Sequence, residues 1–215
     1  MKVGIIGGTG AEGLGLAMRF AKAAEDVLIG SRSRERAEEA ARNVKSVVAE
    51  ATVAGATNEE TAEQAEVLFL TVPWDAHQST LENLAEKIGD KVLVDVVVPL
   101  LFDRGAAKAI LVDEGSAAQQ ARAIAKDAKV VSAFHHLDGR ELQKVDRPMQ
   151  GDVLVCGDHN ASKTTVMDLV ERVEYVRALD AGGLSNSRYV EEFTVLLMQM
   201  NRIYKVHTGV RITGM

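Results

Sequence analysis

"GGTGAEGLG", residues Gly7–Gly15, follows the apolar run Val3–Ile6 almost at the start of the chain. Four of the seven residues Gly7–Gly13 are glycine. The stretch reads as G-x-G-x-x-G at Gly8, Gly10 and Gly13, or as G-x-x-G-x-x-G beginning at Gly7. Both readings describe a strand that turns tightly into a helix whose N-terminus lies close to the sheet. Backbone N–H groups and the positive end of the helix dipole then face an anion, and the anion suited to this turn is a pyrophosphate. A strand before the turn, a helix after it and a second strand beyond make a dinucleotide the expected guest.

The end of the second strand selects the nucleotide. An NAD site places Asp or Glu there for the ribose hydroxyls. This chain reads "LIGSRSRER", Leu28–Arg36, with no acid before Glu35. Ser31 offers a hydroxyl and Arg32 a planar fork matched to a 2′-phosphate. Arg34 or Arg36 adds a second charge. NADP(H) is therefore the expected cofactor.

Outward from the turn, short apolar runs alternate with Ala- and Glu-rich stretches of helical period. Strands are expected at Lys2–Gly7, Asp26–Gly30, Ala51–Ala54, Val67–Val72, Lys91–Val96, Lys129–Phe134, Val153–Gly157 and Val176–Ala178. Helices are expected at Glu12–Ala24, Arg34–Val48, Glu59–Gln64, Ala76–Ile88, Ala117–Lys126 and Ala161–Arg172. This alternation predicts an α/β fold: a Rossmann-type, doubly wound, mostly parallel sheet with ligands beyond the carboxyl ends of its strands. "HHLDGRELQKVDRPMQGD" reads as a long loop or a short helix. A small C-terminal helical extension follows, with Ser185 or Asn186 as cap and a helix through Tyr204. Its stripe of Val190, Phe193, Leu196, Leu197 and Met200 serves either the monomer core or a homodimer contact. Residues 1–136 are the expected NADP-binding domain. Residues 137–215 form a smaller part with the last βα unit and the long helix.

Composition narrows the function. The 215 residues carry a formal charge of −6 and 47% hydrophobic residues. That suits a globular protein, and without a basic stripe nucleic acid is not an expected partner. No apolar run has the roughly 18–20 residues needed to span a bilayer, and the N-terminus does not read as a signal peptide, so a cytoplasmic protein with no membrane partner is expected. Cys156 is the single cysteine and reads as a small buried residue. His135 and His136 fall at a strand's carboxyl end. Adjacent extended residues point apart, which disfavours a metal pair, and no metal is expected. His77, His159 and His207 have no evident partner.

The chain resembles the NADPH-dependent reductases of the deazaflavin coenzyme F420, the NADP:8-hydroxy-5-deazaflavin oxidoreductases, in its bacterial branch. Ordered blocks over nearly the whole length carry the resemblance: "GGTGAEGLGLA", "IGSR", "LTVPW" (Leu70–Trp74), "KVVSAFH" (Lys129–His135), "DVLVCGD" (Asp152–Asp158) and "LDAGGLSNSRYVE" (Leu179–Glu191). The resemblance places the pyrophosphate on Thr9, Gly10, Ala11 and Glu12. It places the 2′-phosphate on Thr9, Ser31 and Arg32, with Arg36 standing where the family has a lysine, and the nicotinamide near Pro73, Trp74 and Val98. The deazaflavin falls around Leu137, Gly139 and Thr208, with His135 as an auxiliary group. "HHLDG" at His135–Gly139 departs from relatives that carry a proline there.

The resemblance implies an oxidoreductase that moves hydride between NADP(H) and coenzyme F420 by positioning alone, with no catalytic acid–base residue. The coenzyme's phosphate and glutamate tail would fall to basic residues among Arg140, Lys144, Arg188, Arg202, Lys205 and Arg211. Alternatives on the same scaffold are an NADPH-dependent reductase of a small imine, ketone or ferric substrate, and a non-catalytic NADPH-binding sensor. The first would need an extra acid–base group in the cleft, such as Asp95, Asp138 or Lys144.

Overall fold

A computed structural model describes residues 1–215. The strand before the glycine turn, β1 (Lys2–Ile6), lies inside an eight-stranded sheet. Parallel neighbours flank it: β2 (Asp26–Ser31) on one side and β4 (Val67–Leu70) on the other. Beyond β2 lies the edge strand β3 (Val53–Thr57). Beyond β4 come β5 (Val92–Asp95) and β8 (Lys129–Ser132), also parallel. The last pair, β9 (Gly151–Gly157) and β10 (Val176–Asp180), run parallel to each other, and β9 lies antiparallel to β8. The order β10-β9-β8-β5-β4-β1-β2-β3 is the doubly wound, mostly parallel sheet expected.

Helices α1 (Ala11–Lys22), α2 (Arg34–Val47), α3 (Asn58–Gln64), α4 (Trp74–Ile88) and α5 (Ala117–Ile124) cross between the parallel strands. The short α6 (Gly139–Leu142) lies in the β8–β9 connection, α7 (Asn160–Glu171) joins β9 to β10, and α8 (Ser187–Tyr204) closes the fold. Side chains alternate faces along each strand, so β4 splits between two cores. Phe69 packs with Phe20 and Phe134 at centroid distances of 5.0 and 5.8 Å, while Leu68 and Leu70 join Leu81, Leu84 and Ile88 on the opposite face.

Three expectations change. A hairpin, β6 (Leu100–Asp103) and β7 (Ala106–Ala109), stands where the sequence suggested none. Its turn has positive φ at Arg104 (48°) and Gly105 (78°), the pattern of a two-residue hairpin turn usually carried by Asn-Gly. Asn186 sits at the start of α8 but does not cap it; its amide donates to the Ala181 carbonyl at 2.7 Å. The apolar stripe of α8 divides. Val190 and Leu197 are buried, whereas Phe193 and Leu196 are 38% and 49% exposed.

Candidate active site

The glycines of the first turn have separate tasks. Gly7 has φ +73°, and its N–H donates to Asn58 Oδ1 at 3.1 Å, which ties the turn to the start of α3. A Cβ on Gly13 would lie 2.6 Å from Gly8 Cα, so these two let α1 press on the turn and line neither cavity described below. Gly10 is different. A Cβ there would meet no protein atom closer than 3.8 Å, so the close approach it permits is to something outside the chain.

Beside the turn opens a crevice of about 920 Å³. Thr9, Gly10, Ala11, Glu12, Ser31, Arg32, Arg36 and Pro73 all border it. Of the two candidates for a second positive charge, Arg36 faces the crevice, while Arg34 is paired with Glu60. Ser31 Oγ accepts the Ser33 N–H at 3.3 Å, and Ser33 caps α2, so this hydroxyl is held by the helix start beside it.

A second cavity of about 790 Å³ adjoins the first and shares Ala11, Glu12, Pro73 and Asp75 with it. Trp74 and Val98 border it. The hairpin residues Leu101 and Phe102, His135–Arg140, and Met198, Asn201 and Thr208 complete its walls. His135, Leu137, Gly139 and Thr208, more than sixty residues apart at the extremes, thus face one space. The hairpin wall and Asn201 escaped sequence reasoning. Asn201 carries a readable role, because its Oδ1 accepts the Thr208 N–H at 2.6 Å and folds the tail back.

Phe134 has φ +68°, which bends the chain out of β8 so that both following histidines line the cavity rather than pointing apart. His135 and His136 are 6% and 4% exposed, and all four ring nitrogens lack a protein partner. Burial, then mutual repulsion, pushes His135 down to about 3; burial pushes His136 down to about 4 against the pull of Asp152. Two neutral rings therefore border the cavity with their nitrogens buried and unpaired. Glu12 Oε1 is likewise buried and unpartnered, and burial followed by the charge of Asp138 holds that carboxyl well above the usual range.

The 137–147 segment is fastened to α1. Gly139 packs on the Glu12 backbone, where a Cβ would come within 2.7 Å of nitrogen, and Gly15 admits Leu142 in the same way at 2.5 Å. Arg19, 3% exposed, donates to the carbonyls of Leu142, Lys144, Glu141 and Arg147. The tail is tied down by Asp152. Its carboxylate receives both arms of Arg177 at 2.7 Å and the Ile212 N–H at 2.6 Å, and these bonds hold it at about 2.

Other sequence candidates resolve plainly. Of the six basic residues considered for an anionic tail, Arg140 alone lines the cavity; Lys144 pairs with Glu141, Arg188 with Glu192 and Arg211 with Asp152. None of the three acid–base candidates is free. Asp95 is wholly buried against His77, Asp138 caps α6 and accepts from His207, and Lys144 is in its ion pair. The histidines without evident partners all have them: His77 bonds Asp95 and Gln120, His159 caps α7, and His207 meets Asp138 at 2.8 Å. Cys156 is buried, and burial raises its thiol. No three His, Cys, Asp or Glu side chains are grouped to hold a metal ion, and no helix is long and apolar enough to cross a membrane.

Residues 2–99 match the family described as NADP oxidoreductase coenzyme F420-dependent. Over its full length the chain is 40% identical to the F420-dependent NADP reductase of Methanothermobacter thermautotrophicus, spanning 96% of that protein. It is 38% identical to the protein of the same description from Methanocaldococcus jannaschii, spanning 99% of it. A solved structure from Arthrobacter sp. FB24, 23% identical, shares the fold with a TM-score of 0.84 over 99% of each chain. The chain belongs to the family of F420-dependent NADP reductases.

Proposed function

We propose that the protein transfers hydride reversibly between NADP(H) and coenzyme F420. The observation that carries this reading is the pair of abutting cavities at the strand ends, one lined by the glycine turn with Ser31, Arg32 and Arg36, the other by Trp74, Val96–Val98, Leu101 and Phe102 together with the histidine pair and Arg140. The two carriers supply the chemistry themselves, C4 of the nicotinamide and C5 of the deazaflavin both being hydride centres. The chain's task is to bring them into contact and exclude water.

In this reading the backbone at Thr9, Gly10, Ala11 and Glu12 holds the pyrophosphate, with Gly8 and Gly13 shaping the turn. Ser31, Arg32 and Arg36 hold the 2′-phosphate. Pro73, Trp74 and Val98 receive the nicotinamide. Leu137, Gly139 and Thr208 bound the deazaflavin, and His135 gives its ring edge a hydrogen bond. Residues 1–136 form the nucleotide part, and residues 137–215 carry most of the deazaflavin side. The exposed face of α8, with Phe193 and Leu196, joins two copies into a homodimer that works in the cytoplasm.

The test is direct. NADPH should bleach the visible absorbance of oxidised F420 in the presence of the protein, with no turnover of cyclic imines. Turnover of an imine or ketone without bleaching would overturn the reading.

A further inference from the structure

Beneath the cleft lies a buried chain of polar side chains that hydride transfer does not use. His77, on α4, is 0% exposed; its Nε2 meets Asp95 Oδ2 at 2.7 Å and its Nδ1 meets Gln120 Oε1 at 2.9 Å. The Gln120 amide is oriented from its far side, because its Nε2 donates to Glu114 Oε2 at 3.3 Å. Its oxygen therefore faces the imidazole, and a carboxylate on the other side can only accept. This arrangement asks both ring nitrogens to donate, as they do in an imidazolium.

Two walls of the cleft converge on this ion. The Trp74 indole lies against the His77 ring, with centroids 5.3 Å apart and planes at 31°, within reach of a cation–π attraction. On the opposite side the second oxygen of Asp95 accepts the Val97 N–H at 2.9 Å, which fixes the Val96–Val98 strand end. Trp74 and Val96–Val98 both line the cavity, while His77 and Asp95 do not.

We propose that His77 and Asp95 are positioning residues, a buried cation–carboxylate pair that holds Trp74 and the Val96–Val98 strand end as facing walls for the nicotinamide. The proposal rests on the reading that the nicotinamide occupies that end of the cleft. The charged and titratable groups around His77 are Asp95 from β5, Glu114 beyond Gln120 from the loop before α5, and Glu191 from α8. Burial alone would lower the imidazole; Asp95 first, then Gln120 and Glu191, reverse this and leave it above its ordinary value.

The experiment uses the chain's single tryptophan. A protonated imidazole against the ring quenches its emission. Wild-type emission should rise as His77 loses its proton on raising the pH, and His77→Gln should be flat. In His77→Gln and Asp95→Asn, kcat for F420 reduction should fall about 10- to 100-fold, the cost of a misplaced reactant, while affinity for 2′,5′-ADP, which reaches only the phosphate end, stays at the wild-type level. Wild-type emission with no pH dependence, together with imidazole ¹⁵N shifts of a neutral ring, would overturn the proposal even if every variant misfolds. So would His77→Gln with unchanged kcat. Failure of wild type to bind 2′,5′-ADP would instead count against the nucleotide reading.

Discussion

The Arg19 guanidinium donates to the Leu142 carbonyl at 2.8 Å, so the helix that begins at the glycine turn also carries the loop that walls the second cavity. The two cavities are thereby parts of one rigid piece. Replacing Arg19 by Leu takes its donor from four carbonyls; Glu141 and Lys144 keep a backbone N–H, which leaves Leu142 and Arg147, and an orphaned buried group costs about 1–3 kcal/mol. Urea unfolding should show a loss on the order of 3 kcal/mol. Amides of residues 139–147 should exchange faster, and the KM for F420 should rise more than that for NADPH.

Nucleotide choice should follow Ser31, Arg32 and Arg36, but not Arg34. A charge-assisted hydrogen bond is worth about 1.5–3 kcal/mol. Arg32→Ala should therefore weaken NADPH binding by roughly 10- to 100-fold, with little change for NADH. Arg34→Ala, which breaks only the pair with Glu60, should leave both affinities within about twofold. Calorimetric titration with each nucleotide checks both outcomes.

Glu12 makes NADPH binding depend on pH. Burial, and then the charge of Asp138, raises its carboxyl well above the usual range, and it lies in the first turn of α1 where the pyrophosphate is proposed to sit. Raising the pH ionises it and sets a negative charge beside the phosphates. Affinity for NADPH should fall as pH rises in wild type and stay level in Glu12→Gln. Dissociation constants measured from pH 6 to 9 decide the matter, and identical slopes would refute the assignment.

Glu191 gives a stability signature on the alkaline side. It accepts N–H bonds from Ala117 and Ala118, yet burial, and then the charge of Asp95, pushes it up to about 8. A carboxyl whose folded pKa exceeds its unfolded one binds more protons when folded. Its contribution is complete below the unfolded pKa near ~4.3 and is lost as pH rises through about 8. Wild type should melt lower at pH 9 than at pH 6, and Glu191→Gln should lessen that difference.

The two faces of α8 separate association from folding. Leu196 is 49% exposed and Leu197 only 6%. Leu196→Glu should convert the proposed homodimer to a monomer in sedimentation with its melting temperature nearly kept. Leu197→Glu should unfold the chain, since a buried charge without a partner is costly.

How much of this was legible depended on distance along the chain. The sheet could be read because each buried strand is a short β-branched run, and the nucleotide crevice because Gly7–Glu12 and Ser31–Arg36 are contiguous. The β6–β7 hairpin was hidden by Arg104, which takes a positive φ that sequence reading expects of Asn or Gly. The bend at Phe134 was hidden in the same way, so the histidine pair was read as splayed. His77 showed no partner because Asp95 and Gln120 reach it from two other elements. Arg19 drew no reading from the sequence, because the carbonyls that explain its burial lie more than a hundred residues later.

Every residue bordering the nucleotide crevice lies between Gly7 and Leu84, whereas the neighbouring cavity waits for Asn201 and Thr208. At ribosomal rates of about 5–20 residues per second, that gap is roughly 6–25 s. A nascent chain thus has every residue of that crevice synthesised, with Val98 the one proposed nicotinamide contact still to come, well before the walls of the neighbouring cavity are complete.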